Sequence, residues 1–307
     1  MKPPHSAPDY APSAGQDGYE ITEYLAGEGA DAQDLFVHFI ESVNKNRIQL
    51  PSLPHVAAEV RSHSSRGDLG VQQMARIIGH DSAVSAKLVR TANSPLYRGE
   101  SLSQSVLDAV SRLGVDKSRQ LVMSYTVREV FTTPNKGLAN LMQVTWKHSQ
   151  DIAINAYIIS RRCHVLAAEK VLLAGLMHDI GVIPLLAYAE AYPELYRNRP
   201  ALRRVLNELK SDAGAMLLKR WGFDAELSQV ACEVDNWQRA GTAETCDLTD
   251  LIQVAHYGAR LISDPTAELE PPAALNRIPG LDAAGCIALL DGAQADVQQT
   301  QHMLNSG

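Results

Sequence analysis

The sequence predicts an all-α protein, and three observations support this class. Apolar residues recur at intervals of three and four along most of the chain, as they do on one face of an amphipathic helix. Alternating apolar and polar runs rich in β-branched side chains, which indicate strands, are nearly absent. Glycine, proline and asparagine interrupt the helical stripes, which places turns between short helices. The 307 residues, 45% of them hydrophobic and 21% charged, are enough to form a large buried core.

The charge and the cysteine pattern argue against two classes of function. A net charge of −7 disfavours bulk binding of nucleic acid, because phosphate contacts require a dense lysine and arginine surface. Local basic residues such as Arg203 and Arg204 are more typical of a solvated helix face. The four cysteines are widely spaced and form no CxxC pair, so they predict neither a disulfide framework nor a zinc finger.

The sequence gives no signal for export or for membrane insertion. The N-terminus lacks the apolar core of a signal peptide. No apolar run is expected to approach the ~18 residues that a membrane span needs. We therefore expect a cytoplasmic protein that does not bind a membrane.

The first part of the chain is predicted to be a tail followed by a lobe of short helices. Residues 1–30 are rich in proline and glycine, which predicts a disordered tail. Residues 31–137 are assigned to the N-terminal lobe, and two prolines between residues 50 and 54 predict an extended connector within it. One of its helices is expected to start after Asp81 and another to stop at Gly114.

The second part is predicted to contain longer helices around a central one. Residues 138–265 form this second lobe, and residues 266–307 are expected to add a C-terminal helical extension. The segment Val171–Met177 is apolar on every face and predicts a buried central helix. Gly181 is expected to end that helix as a C-terminal cap.

Short motifs follow one another in a fixed order along the chain. In the first lobe they are Leu50-Pro51-Ser52-Leu53-Pro54, Ile78-Gly79-His80-Asp81, Lys87-Leu88-Val89-Arg90 and Thr91-Ala92-Asn93-Ser94-Pro95-Leu96-Tyr97. In the second they are Trp146-Lys147-His148-Ser149 and Ala174-Gly175-Leu176-Met177-His178-Asp179-Ile180-Gly181. Over residues 34 to 265 this order and spacing resembles the HD-related output domain (HDOD) family of bacterial signalling proteins. The resemblance implies two helical lobes that share one core, the second related to HD-type metal phosphohydrolases.

The resemblance also implies a set of candidate metal ligands. HD phosphohydrolases hold a metal with a first histidine, a His-Asp pair and a distant aspartate, and the metal polarises phosphate and activates water. Here His148 matches the first position and His178 with Asp179 matches the pair, whereas His256 stands where the distant aspartate is expected. Helical spacing predicts that His148 and His178 point into the core. Histidine can still ligate a transition metal, but it brings no negative charge for a hard cation.

Two interpretations of these residues remain open. In the favoured one the site is vestigial, and His148, His178 and Asp179 are buried side chains that hydrogen-bond one another. In the other, they and His256 hold a single divalent metal. A dinuclear centre is not expected, because residues near Lys210 and Asp235, where two-metal relatives carry histidines, are not histidine.

By resemblance, the expected function is that of a non-catalytic output module in bacterial signal transduction. It would bind a protein partner or a ligand, with a cyclic dinucleotide as one candidate, in a network such as motility, biofilm formation or virulence. The candidate contact is an exposed turn, although a simple capping turn is also consistent with its first two residues. Its residues are Asn93, Ser94, Pro95, Leu96 and Tyr97. The alternative is a single-metal phosphohydrolase that acts on a nucleotide or a cyclic dinucleotide.

Overall fold

A computed structural model describes residues 32–64, 69–241 and 245–305. Every regular element within these ranges is a helix, which confirms the all-α class. The predicted disordered tail at residues 1–30 lies outside the described residues.

The first part of the described chain contains six short helices. They are α1 (Ala32–Asn44), α2 (His55–Ser64), α3 (Val71–Gly79), α4 (Ser82–Ala92), α5 (Val106–Leu113) and α6 (Val115–Thr126), followed by a 3₁₀ turn at Val127–Phe131. Helix α4 starts where expected, because the Asp81 carboxylate accepts a hydrogen bond of 2.9 Å from the backbone N–H of Val84. Helix α5 stops at Gly114, whose φ of +84° few other residues tolerate.

The later part of the described chain contains the longest helices. They are α7 (Lys136–Cys163), α8 (Ala168–Met177), α9 (Val182–Ala191), α10 (Pro193–Arg197), α11 (Arg199–Arg220), α12 (Ala225–Glu233) and α13 (Leu248–Ser263). A 3₁₀ turn at Ala273–Arg277 leads to α14 (Ala283–Asp291) and α15 (Gln294–Asn305). The predicted central helix is α8, whose apolar residues from Val171 to Met177 are all buried.

One apolar stretch corrects an expectation from the sequence. Helices α8 and α9, with the turn between them, form the stretch Ala168–Ala191, which is long and apolar enough to cross a membrane by length and composition. The expectation that no apolar run reaches this length is therefore wrong. Of the tested window, 94% is buried inside the protein, so these helices lie in its core.

Gly181 permits close packing and does not cap a helix. Its φ is −65°, so the expected left-handed cap is absent, and α8 has already ended at Met177. A Cβ at this position would overlap the backbone of α11 at Lys210 and Gly214. Because glycine lacks that atom, α11 can lie directly against the turn between α8 and α9. This contact brings Lys210 beside Asp179.

Candidate metal centre

Three histidines from three different helical segments converge on one point. His148 lies on α7, His178 directly follows α8, and His256 lies on α13. One ring nitrogen of each lies within 4.8 Å of those of the other two, and the ring centroids are 4.7–5.4 Å apart. The structure thus brings together residues that are 30 to 108 positions apart in the sequence.

The orientation of His178 leaves a free nitrogen in the middle of this cluster. Its Nδ1 lies 2.6 Å from the carbonyl oxygen of Gly175, and a carbonyl can only accept. Nδ1 therefore carries a proton, and Nε2 is the nitrogen that faces the other histidines. Nε2 is buried, has no hydrogen-bond partner and lies 3.4 Å from Asp179 Oδ2. Asp179, a hydrogen-bond partner expected from the sequence, thus lies beside this atom.

The carboxylate of Asp179 is shared between the histidines and a lysine. Its Oδ2 lies 3.7 Å from His148 Nε2, on the same side as His178. Its Oδ1 lies 2.7 Å from Lys210 Nζ, which is also 3.0 Å from Asp235 Oδ2. Burial alone would raise the pKa of Asp179, but His178 and Lys210 hold that pKa well below its usual range. The carboxylate is therefore ionised and presents one oxygen to the histidines.

His148 forms the open edge of the centre. Its side chain is 44% exposed, so the expectation that it points into the core is wrong. The residues that follow His148 on the same face of α7 are buried: Ile152, Ala156 and Ile159. Val144, one turn before His148, is also exposed, at 55%. One side of the histidine cluster consequently faces solvent.

Burial keeps two of the three imidazoles neutral. It lowers the pKa of His148, and the neighbouring His178 lowers it further. The pKa of His256 lies well below its usual value, first because of burial and then because of His178 and His148. Neutral imidazole is the form that ligates a metal, so the lowered pKa values of His148 and His256 favour metal binding.

The donor set fits a transition metal. Tetrahedral coordination with bonds of about 2.0–2.1 Å separates donor atoms by about 3.3 Å, so small ring movements would close the cluster around one ion. His256 Nε2 is buried without a hydrogen-bond partner, like His178 Nε2. Three imidazoles and one carboxylate oxygen favour zinc, iron or manganese over magnesium or calcium.

The turn predicted as a contact surface is tied into the fold. The Asn93 side chain donates to the carbonyl oxygen of Ser103 and accepts from its N–H, both at 2.8 Å, so it braces the following loop. Pro95 is exposed, whereas Ser94, Leu96 and Tyr97 are half-buried. The Tyr97 hydroxyl donates to Glu169 Oε1 at 2.7 Å and lies 2.9 Å from the Tyr157 hydroxyl. The expectation of an exposed Pro-Leu-Tyr is therefore wrong for Tyr97, because a buried carboxylate on α8 binds its hydroxyl.

Sequence reasoning did not anticipate the role of Lys210. The sequence indicated that Lys210 would repel a cation and that neither it nor Asp235 is a histidine, but it did not predict the ion pairs of the lysine. Their ion pairs depend on the approach of α11 to Gly181, which neither charge pattern nor periodicity reveals.

These features define a class of protein. An all-helical core that joins a His-Asp pair to side chains on two other helices resembles HD-type domains, although His256 stands where the distant aspartate is expected. The family model for the HDOD domain matches residues 50–236, more than half of the chain. The chain therefore belongs to the HDOD family.

Solved structures support the same fold. A provisionally named metal-dependent phosphohydrolase from Shewanella amazonensis SB2B is 27% identical, with a TM-score of 0.70 over 87% of this chain and 98% of its own. An HDOD domain protein of unknown function from Geobacter sulfurreducens is 18% identical, with a TM-score of 0.61 over 89% and 99%. A provisionally named signal transduction protein from Marinobacter aquaeolei VT8 is 19% identical, with a TM-score of 0.57 over 89% and 65%. No curated protein matches the sequence.

Proposed function

We propose that this protein is a signal-transduction module that binds a protein partner or a ligand and holds one transition-metal ion. The ion would be held by His148, His178, His256 and Asp179. Membership of the HDOD family and the likeness to a signal transduction protein support the signalling role. The free Nε2 of His178 carries the metal proposal.

The surroundings of that nitrogen favour a metal over a vestigial site. Nε2 of His178 is buried without a hydrogen-bond partner and lies 3.4 Å from Oδ2 of Asp179. A buried polar atom without a partner is costly. A cation bound by both atoms removes that cost, and His256 and His148 offer it two further ligands.

Binding without cleavage is the role that the charges favour. Lys210 already pairs with one oxygen of Asp179, and His256 adds no negative charge. The centre therefore has less negative charge than the ligand set of HD phosphohydrolases, which contains two aspartates, to hold a hard, phosphate-activating cation. A bound ion would supply Lewis acidity, while the chain's own histidines fix its position.

Single-metal phosphohydrolysis is the second candidate. The exposed edge at His148 favours it, because catalytic metal sites keep one position open whereas structural sites are closed. The likeness to the Shewanella protein, which is named a metal-dependent phosphohydrolase, points the same way.

Metal content tests the proposal. Protein purified without a histidine tag and supplied with manganese, iron or zinc should contain about one ion per chain, and His178→Ala should contain none. His55→Ala is a matched control, because that histidine is 88% exposed. Less than about 0.1 ion per chain in the wild type would contradict metal binding.

Turnover and partner capture separate the two functions. The binding module predicts no hydrolysis of nucleotides or cyclic dinucleotides by the loaded protein. It also predicts a partner that wild type captures from native extract and His178→Ala loses. Hydrolysis that His178→Ala abolishes and His55→Ala retains would instead establish the phosphohydrolase.

A further inference from the structure

Lys210 supplies a positive charge where two carboxylates meet. Its side chain is 19% exposed, and its ammonium lies between Asp179 Oδ1 at 2.7 Å and Asp235 Oδ2 at 3.0 Å. Asp179 is nearly buried, whereas the Asp235 side chain is 59% exposed. Solvent therefore reaches the lysine on the side of Asp235, and the ammonium contacts the candidate metal ligand Asp179 on the other side.

The backbone holds this lysine in place. The carbonyl oxygen of Lys210 lies so close to Gly181 that a Cβ there would overlap it, and Gly214 makes a similar contact one turn later. Gly181 comes two residues after Asp179. The distance between α11 and the Asp179 carboxylate is thus fixed by backbone contact as well as by the ion pair.

The two oxygens of Asp179 face two different cation positions. Oδ2 faces His148 and His178, at 3.7 and 3.4 Å, where the proposed metal ion would bind. Oδ1 faces the ammonium. A carboxylate that bridges two cations has this arrangement, and here the chain itself provides one of the two.

We infer that the Lys210 ammonium takes the place of a second metal ion and so limits the centre to one ion. This inference rests on the proposed function for the first ion. Without the ammonium, Asp179 and Asp235 would direct carboxylate oxygens at a shared space, and such oxygens are the ligands that hard divalent cations prefer. Lysine thus keeps the centre mononuclear.

Titration with Mn²⁺ tests this inference, with free Mn²⁺ counted by electron paramagnetic resonance. We expect one ion in the wild type and two in Lys210→Ala and Lys210→His. The titration extends to about 1 mM free Mn²⁺, because the weakest protein sites for divalent cations have dissociation constants in that range. Lys210→Arg keeps the charge and should bind one ion. Lys219→Ala removes an exposed lysine from the same helix and should also bind one. Adding Asp235→Asn to Lys210→His should return the count to one.

The outcomes separate this inference from the proposed function. If Lys210→Ala and Lys210→His fold like wild type, by circular dichroism, and still bind the wild-type number of ions, the inference is overturned. If the wild type binds none, the proposed function fails. In that case the inference predicts that Lys210→His still binds one ion. If adding Asp235→Asn abolishes this ion and adding His256→Leu does not, Lys210 occupies a cation site whether or not the histidines bind a metal.

Discussion

At the residue scale, Asp179 and His256 lie in the same centre, but one is a paired polar group and the other is not. The Asp179 carboxylate is paired with Lys210, whereas His256 Nε2 is buried without a hydrogen-bond partner. Removing a paired group leaves its partner unsatisfied, whereas removing an unpaired polar group relieves a cost. The two residues therefore make different contributions to stability.

We expect this difference to appear in the metal-free protein. Asp179→Asn should lower the free energy of unfolding by about 1–3 kcal/mol, because Lys210 then keeps only its contact with the more exposed Asp235. His256→Leu, of similar volume, should be neutral or stabilising. Urea denaturation after treatment with a chelator measures both.

In the presence of metal, His256 should stabilise the folded protein. If the histidines hold an ion, added zinc should raise the melting temperature of the wild type but not that of His256→Leu. Equal gains in both proteins would show that His256 is not a ligand. A His256→Leu variant destabilised by several kcal/mol without metal would show a structural role instead.

At the element scale, some helix boundaries were predictable and helix contacts were not. The apolar run of α8 and the boundaries at Asp81 and Gly114 follow from local rules, whereas the predicted end of α8 at Gly181 did not hold. The exposure of His148 depends on how neighbouring helices pack against α7, which no periodicity reveals. The Asp250 carboxylate, fully buried at the start of α13, binds Arg239 and Arg277, and widely separated residues of this kind give no local signal.

Helix α1 offers a test at this scale through His38. The His38 Nδ1 lies 2.7 Å from the hydroxyl of Tyr188 on α9, and its ring meets that of Tyr192 edge-on. Burial lowers the pKa of His38 below its ordinary 6.5, with Arg47 and Lys45 also lowering it and Glu41 opposing. In the window below 6.5 the unfolded chain binds more protons than the folded one. The contribution of His38 to stability is therefore complete above pH 6.5 and lost as the pH falls.

Replacing His38 should make the free energy of unfolding less dependent on pH. We expect His38→Gln to lose less stability than the wild type between pH 7 and pH 5, measured by urea denaturation at each pH. His55→Gln, at an exposed position, should keep the wild-type slope. An unchanged slope in His38→Gln would show that α1 docking does not depend on the protonation of His38.

At the scale of the whole molecule, the described residues share one hydrophobic core that extends from Leu35 to Leu304. Tyr97, which follows α4, donates a hydrogen bond to Glu169 on α8. The C-terminal helix α15 returns to α7, where Asn305 accepts from Gln150 at 2.9 Å and Asp296 pairs with Arg162 at 2.6 Å. The motifs predicted the family and the four metal candidates. They could not predict these ties, because each joins residues distant in sequence.

The central claim is that one metal ion binds among three histidines and Asp179, and anomalous X-ray diffraction tests it most directly. Crystals grown with zinc, measured on both sides of the zinc absorption edge, should show one anomalous peak per chain. The peak should lie about 2.0–2.2 Å from a ring nitrogen of His148, His178 and His256 and from an oxygen of Asp179. A centre without a peak, in which His178 Nε2 accepts a hydrogen bond from water or from a protein group, would contradict the account.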